Sequence, residues 1–200
     1  MRKILILTLT VILAFSFAGC SKNEVATIET LEEQKNTIED KVLPFDNTIQ
    51  FYTETGIGNW SNSLSLRNDG SFFGDYYDLN MGEVGENFEQ GTYYWNEYWG
   101  EFDKVEKLTD YSYLLSFESL ATEHEDGVES FENQFKYLTT INIVGVKANT
   151  DYILFLPNTP VASLPENVKE TILTANFENK ETIEIYVLYN LQDNVVFWCN

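Results

Sequence analysis

The sequence has little cysteine, little histidine and few basic residues, and each shortage excludes a class of chemistry. Its 200 residues include two cysteines, Cys20 and Cys199, and one histidine, His124. Protein zinc sites need several Cys or His ligands, and a Ser or Cys nucleophile usually needs a histidine as its base. We therefore expect neither a zinc centre nor a catalytic triad, and we interpret His124 as an exposed loop residue.

Basic residues are outnumbered by acidic ones, 12 Lys and Arg against 32 Asp and Glu, for a formal net charge of −20. A surface of this charge is repelled by phosphate backbones, so nucleic-acid binding is not expected. No phosphate-binding loop, nucleotide fingerprint or nucleophile elbow is present either. What the chain has in quantity is aromatic side chains, which make up 15% of its residues and are ample for the core of one domain.

The first twenty residues have the pattern of an export signal. Arg2 and Lys3 precede an apolar stretch from Ile4 to Phe17, and small residues follow before Cys20. This stretch is too short for a membrane span and predicts a signal peptide over residues 1–19 that is removed on export.

The end of that signal, Phe17-Ala18-Gly19-Cys20, resembles the lipobox of bacterial lipoproteins, with Phe17 where Leu is usual. The resemblance implies that Cys20 carries a lipid and holds the protein on the outer face of the cell membrane, or on the outer membrane in a Gram-negative cell. The alternative is an ordinary secretory signal. A lipidated Cys20 would leave Cys199 as a lone thiol, because no other cysteine remains to pair with it.

Residues 20–44 predict a polar linker that is partly helical. Its apolar residues recur at spacings of three, four and seven, the period of one helical stripe. Pro44 then ends the helix, and the folded domain is expected over residues 45–200. The stripe consists of Val25, Ile28, Leu31, Ile38 and Val42.

The sequence pattern of residues 45–200 predicts a mainly β fold. Trp60 to Leu66 alternates between apolar and Ser residues, and a turn at Arg67 to Ser71 leads into a second strand from Phe72, so the two form a hairpin. With this hairpin included, the domain is expected to have about eight or nine strands, mostly antiparallel, and one short late helix ending near Leu173. Because an open sheet exposes unpaired edges, we expect closure into a small β-barrel.

Short motifs resemble known families. Gly58-Asn59-Trp60 and Thr109-Asp110-Tyr111 resemble marks of lipocalins and other calycin barrels. A longer pattern resembles uncharacterised predicted lipoproteins of Gram-positive bacteria, which implies an anchored extracytoplasmic domain, expected to be a monomer, and brings no assigned activity. That pattern comprises Trp60, Leu64 to Leu66, Asn68 to Phe72, Gly91 to Tyr93 and Tyr152 to Pro160.

Two groups of residues are candidate sites. Oxygen-bearing side chains surround a glycine-containing loop from Asn80 to Gly91, and calcium requires many oxygen ligands at once, so a calcium site is one reading and a solvated acidic surface the other. Aromatic residues between Thr92 and Phe102 could bind a sugar or an apolar ligand, or could belong to the core. The calcium candidates are Asp75, Asp78, Asn80, Glu83 and Glu86, and the ligand-binding candidates are Tyr93, Trp95 and Trp99.

We therefore expect a non-enzymatic binding module that meets a small ligand or an envelope component. One alternative is a structural or inhibitory envelope protein that acts through surface contacts. Another is a carbohydrate-active enzyme that uses two carboxylates.

Replacing Cys20 with Ala tests the anchor. We expect the variant to appear in the medium or to remain as uncleaved precursor, because one thioether-linked lipid would no longer be attached. Fractionation followed by immunoblotting measures the location and size of the variant, and membrane retention of a variant of mature size, equal to that of the unaltered chain, would refute lipidation.

Overall fold

The computed structural model describes residues 42–54, 59–173 and 180–199. The predicted signal peptide, Cys20 and nearly all of the predicted linker lie outside these ranges. Within them, no helix has the length and apolar character needed to cross a membrane. Leu43 is 1% exposed and Phe45 is also buried, and both belong to the main core of the described residues.

The described residues form twelve β-strands, one α-helix and a short 3-10 helix at Val161–Ser163. The helix α1 is Glu166–Leu173, close to the predicted end. The strands are Ile49–Glu54 (β1), Trp60–Leu66 (β2), Ser71–Asn80 (β3), Gly91–Glu101 (β4), Lys104–Thr109 (β5), Ser112–Ser116 (β6), Leu120–Thr122 (β7), Glu129–Glu132 (β8), Phe135–Thr139 (β9), Asp151–Phe155 (β10), Val187–Asn190 (β11) and Val195–Trp198 (β12).

All twelve strands belong to one sheet, in the order β5-β6-β10-β11-β12-β1-β2-β3-β4-β9-β8. Neighbours are antiparallel except β4 and β9, which run parallel. The long strand β4 also pairs with β7 through its second half, so two different segments continue the sheet beyond it.

The prediction of a mainly β fold is confirmed, but the prediction of a closed barrel with eight or nine strands is wrong. The sheet is open, and β5 and β8 are its ends among the described residues. Closure was expected because bare edges invite aggregation. This chain protects its edges with charge instead, since β8 is four residues long with Glu129 and Glu132, and β5 carries Lys104 and Lys107.

One face of the sheet surrounds the main core. The ring of Phe72 in β3 lies 5.0 Å from that of Phe117, which follows β6, and Phe117 lies 5.7 Å from Tyr152 in β10. These strands are far apart in the strand order, so the sheet bends until its two halves face each other. The core also contains Phe51, Leu64, Leu66, Tyr98, Phe102, Leu115, Leu154 and Phe197.

The opposite face is covered only in part. Over β10, β11 and β12, Val168 and Ile172 of helix α1 pack on Val187, Val196 and their neighbours to form a second apolar cluster. Trp198 borders this cluster and pairs in register with Tyr52, so the same face continues onto β1 and β2. Beyond β2 the described residues provide no helix over this face.

Tyr98 and Gly74 lock the predicted hairpin to β4. They are partners in the β3–β4 register, and the ring of Tyr98 crosses Gly74 to reach β2. There the Tyr98 hydroxyl lies 2.6 Å from Asn62 Oδ1 and 2.8 Å from the Ser63 carbonyl oxygen. Burial raises the pKa of Tyr98 well above its usual value, so the hydroxyl stays protonated and able to donate. Position 74 has no room for a side chain.

Replacing Gly74 with Ala should lower the free energy of unfolding by about 2–4 kcal/mol, because overpacking and a lost buried hydrogen bond act together. The added Cβ would lie 2.0 Å from the Ser63 carbonyl oxygen and 2.4 Å from the Tyr98 hydroxyl. Gly82→Ala is the matched control, since its Cβ meets only Asn80 Oδ1, at 3.4 Å. Urea denaturation compares the two variants, and equal stabilities would contradict this account.

Candidate functional site

Beyond the reach of α1, the outer face of the sheet carries a row of aromatic side chains. Residues opposite each other in an antiparallel register point to the same side, and residues two apart along a strand share that side. In β3 and β4 the register pairs Tyr77 with Trp95 and Phe73 with Trp99. In β9, Tyr137 is the register partner of Tyr93. We call Phe73, Tyr77, Tyr93, Trp95, Trp99 and Tyr137 the aromatic face.

The aromatic face is open to solvent. Phe73 is 43%, Tyr77 46% and Trp99 44% exposed, whereas Phe72, Tyr76 and Tyr98 on the other side of the same strands are buried. Tyr77, Tyr93, Trp95 and Tyr137 line a shallow depression of about 550 Å³. Exposed aromatic groups of this extent on a soluble domain are typical of an interaction site.

Contacts at the borders hold these rings in place. The rings of Tyr93 and Tyr137 stack with centroids 5.2 Å apart, and His124 packs edge-on against Trp95 at 4.9 Å. The backbone of His124 is held by Asn96, whose Oδ1 accepts its N–H at 3.1 Å and whose Nδ2 donates to its carbonyl at 2.9 Å. His124 therefore lies beside the site, as a positioned neighbour of Trp95.

Two carboxylates lie between the aromatic pairs. Asp75 and Glu97 are register partners, placed between the pair Tyr77–Trp95 and the pair Phe73–Trp99. Both side chains are exposed. Asp75 Oδ1 accepts a hydrogen bond of 2.7 Å from Ser63 Oγ. We call Asp75 and Glu97 the acidic pair.

The structure does not bring the predicted calcium ligands together. Asp75 and Asp78 are three residues apart in β3, so they point to opposite faces of the sheet. Asn80 Oδ1 accepts the N–H of Gly82, and Glu83 binds a lysine. Among the residues that the structure describes, no group of three or more Asp, Glu, His or Cys side chains could hold a metal ion. The positions of these residues therefore give no support for a calcium site.

Glu83 instead ties the loop after β3 to the sheet. Its Oε1 lies 2.7 Å from Lys136 Nζ, its Oε2 accepts the hydroxyl proton of Tyr94, and its carbonyl accepts the Thr92 hydroxyl at 3.1 Å. The hydrogen bonds from Lys136 and Tyr94 hold the pKa of Glu83 below its usual value. The hydrogen bond between Tyr94 and Glu83 also raises the pKa of the Tyr94 hydroxyl to about 12.

A larger depression, of about 810 Å³, lies between β1 and residues 184–186 and includes Cys199. The Cys199 sulfur accepts the N–H of Tyr186 at 3.2 Å, and burial raises the pKa of its thiol. A protonated, hydrogen-bonded thiol is a poor nucleophile. We place the candidate site on the smaller depression, because aromatic side chains line it throughout.

Sequence reasoning identified Tyr93, Trp95 and Trp99 and correctly placed them on one side of a strand. It missed Phe73, Tyr77 and Tyr137. The first two alternate with buried residues in β3, a signal that was present in the sequence. Tyr137 could not be found in this way, because β9 joins β4 by a parallel pairing across more than 30 intervening residues.

No protein-family model, no curated protein and no solved structure matches this chain. The geometry of the aromatic face therefore carries the functional argument.

Acid should loosen the loop at residues 81–90. A carboxylate with a lowered pKa stabilises the fold fully above its unfolded pKa, about 4.5 here, and loses this contribution as the pH falls through the folded value. Hydrogen exchange of the loop amides, corrected for intrinsic rates, should show protection falling below that pH. Glu83→Gln should lower the protection at pH 7 and flatten its pH dependence, whereas Glu86→Gln, at an exposed position, should do neither. An unchanged pH profile in Glu83→Gln would rule out this tether.

Proposed function

We propose that this protein is a lipid-anchored binding module of the bacterial cell envelope whose aromatic face binds a carbohydrate chain. The single observation that carries the proposal is the open aromatic face, with Tyr77, Tyr93, Trp95 and Tyr137 around one depression. The protein acts by binding, without catalysis.

The anchor rests on the sequence. A stretch with the length of an export signal ends just before Cys20, and the polar linker that follows would place the domain away from the membrane. Lipidation at Cys20 keeps the domain on the outer side of the membrane, where envelope glycans are within reach.

A carbohydrate fits the chemistry of the aromatic face. One side of a pyranose ring is rich in C–H groups and stacks on aromatic rings, while its hydroxyls need polar partners at the rim. Here exposed rings alternate with two exposed carboxylates, Asp75 and Glu97. An apolar ligand would leave these polar groups without partners, so it fits less well.

Binding fits better than glycoside hydrolysis. Hydrolysis needs one carboxylic acid that stays protonated, which enzymes achieve by burying it in apolar surroundings. Asp75 and Glu97 lie between the two aromatic pairs of β3 and β4, and both are exposed on an open sheet. The arrangement favours recognition of a sugar over cleavage of its bond.

Removing single rings tests the proposal. We expect Trp95→Ala and Trp99→Ala each to weaken binding of soluble oligosaccharides by about five- to thirty-fold, the effect of losing one stacked ring at about 1–2 kcal/mol. Tryptophan fluorescence titration against an oligosaccharide panel measures the affinity, with circular dichroism to verify folding.

Tyr111→Ala is the matched control, since Tyr111 is an aromatic residue 43% exposed in the turn between β5 and β6. Its affinity should equal that of the unaltered chain. Failure of every oligosaccharide to bind, or equal loss in the control, would contradict the proposal.

A further inference from the structure

We infer that the aromatic face selects amino-sugar chains whose amines are free and positively charged, through the acidic pair Asp75 and Glu97. This inference rests on the proposed carbohydrate binding and adds the charge of the ligand. It comes from the place of the acidic pair among the rings and from the charge of the surface around it.

The acidic pair has no counterpart of opposite charge. Like charges directly opposite each other on neighbouring strands destabilise a sheet. In the part of the chain that the structure describes, no salt bridge includes Asp75 or Glu97, and the one side-chain partner found is the neutral hydroxyl of Ser63. The fold thus gains nothing electrostatic from this pairing, whereas a bound cation would be attracted to both carboxylates.

The aromatic rings on both sides of the acidic pair also favour a positively charged ligand. The register places Tyr77–Trp95 on one side of the acidic pair and Phe73–Trp99 on the other. Cations are attracted to the faces of Trp and Tyr rings. The Arg67 guanidinium already lies 4.9 Å from the centroid of the Phe73 ring, so the rings left for a protonated amine are Tyr77, Trp95 and Trp99. The net charge of −20 adds a long-range attraction for cations and repels anionic glycans.

The position of the face within the sheet favours a sugar over a peptide. Peptide strands commonly bind at a sheet edge, where backbone groups are free to pair. Both β3 and β4 are interior strands, with β2 on one side and β9 and β7 on the other. Recognition must therefore use side chains alone.

Dimensions agree with a short stretch of sugar chain. Trp95 and Trp99 are four residues apart on β4, about 13 Å at the usual rise of a strand. Flat rings joined in a chain can reach both aromatic pairs and place an amine over the acidic pair between them.

Two oligosaccharides of equal length test the inference: the β-1,4-linked glucosamine hexamer, with free amines, and its N-acetylated counterpart. The full-length chain in detergent is titrated with each by calorimetry at pH 5.5. We expect about five-fold tighter binding of the amine form, the effect of exposed charge pairs. Added salt should reduce this preference.

The variant Asp75→Asn/Glu97→Gln should abolish the preference, so that it binds the two hexamers with equal affinity. Its melting temperature should equal or exceed that of the unaltered chain, because a like-charge pair has been removed. Glu118→Gln/Glu170→Gln is the matched control: it removes the same charge from exposed positions outside the aromatic face and should keep the preference.

The outcomes separate the two proposals. Three results would overturn the charge selection and leave carbohydrate binding standing. They are equal affinity of the unaltered chain for both hexamers, an equal loss of preference in the control variant, and a lower melting temperature of Asp75→Asn/Glu97→Gln. Binding of neither hexamer, with no effect of Trp95→Ala on any sugar, would overturn both.

Discussion

The hydrogen bonds of Tyr98 across Gly74 fix the register on which the rest of the structure depends. The ring passes over a strand that lacks a side chain at that point and ends 2.6 Å from Asn62 Oδ1. A slip of one residue would exchange the two faces of β3 and β4, placing Phe73 and Trp99 inside and Phe72 and Tyr98 in water. The register therefore determines both the core and the aromatic face at the same time.

The two ends of the outer face differ because, among the described residues, helix α1 covers one end and no helix covers the other. Over β10 to β12, the apolar side chains of α1 bury the sheet, as is usual for a mixed domain. Over β3, β4 and β9 the rings stay in contact with water and surround two unneutralised carboxylates. Each feature opposes stability, so their occurrence together is better explained by binding than by folding.

The loop after β3 shows how a plausible motif can fail. Acidic residues near glycines suggested a calcium site. In the structure, however, the two-residue period of β3 places Asp75 and Asp78 on opposite faces of the sheet, and Glu83 forms a salt bridge with Lys136. Spacing along a chain predicts a metal site only where the backbone conformation is known. An extended strand turns every second ligand away from the ion, whereas a loop can gather them.

Local patterns in the sequence determined the mainly β class, the hairpin of Trp60 to Leu66 with Phe72, the helix ending near Leu173 and the shared side of Tyr93, Trp95 and Trp99. These follow from side-chain period and turn chemistry, which act between near neighbours. Only the tertiary structure decided that the sheet stays open, that β9 joins β4 in parallel and that Tyr77, Tyr137 and the acidic pair meet these rings. Those arrangements depend on which distant segments pair, and that choice is made by the packing of the whole core.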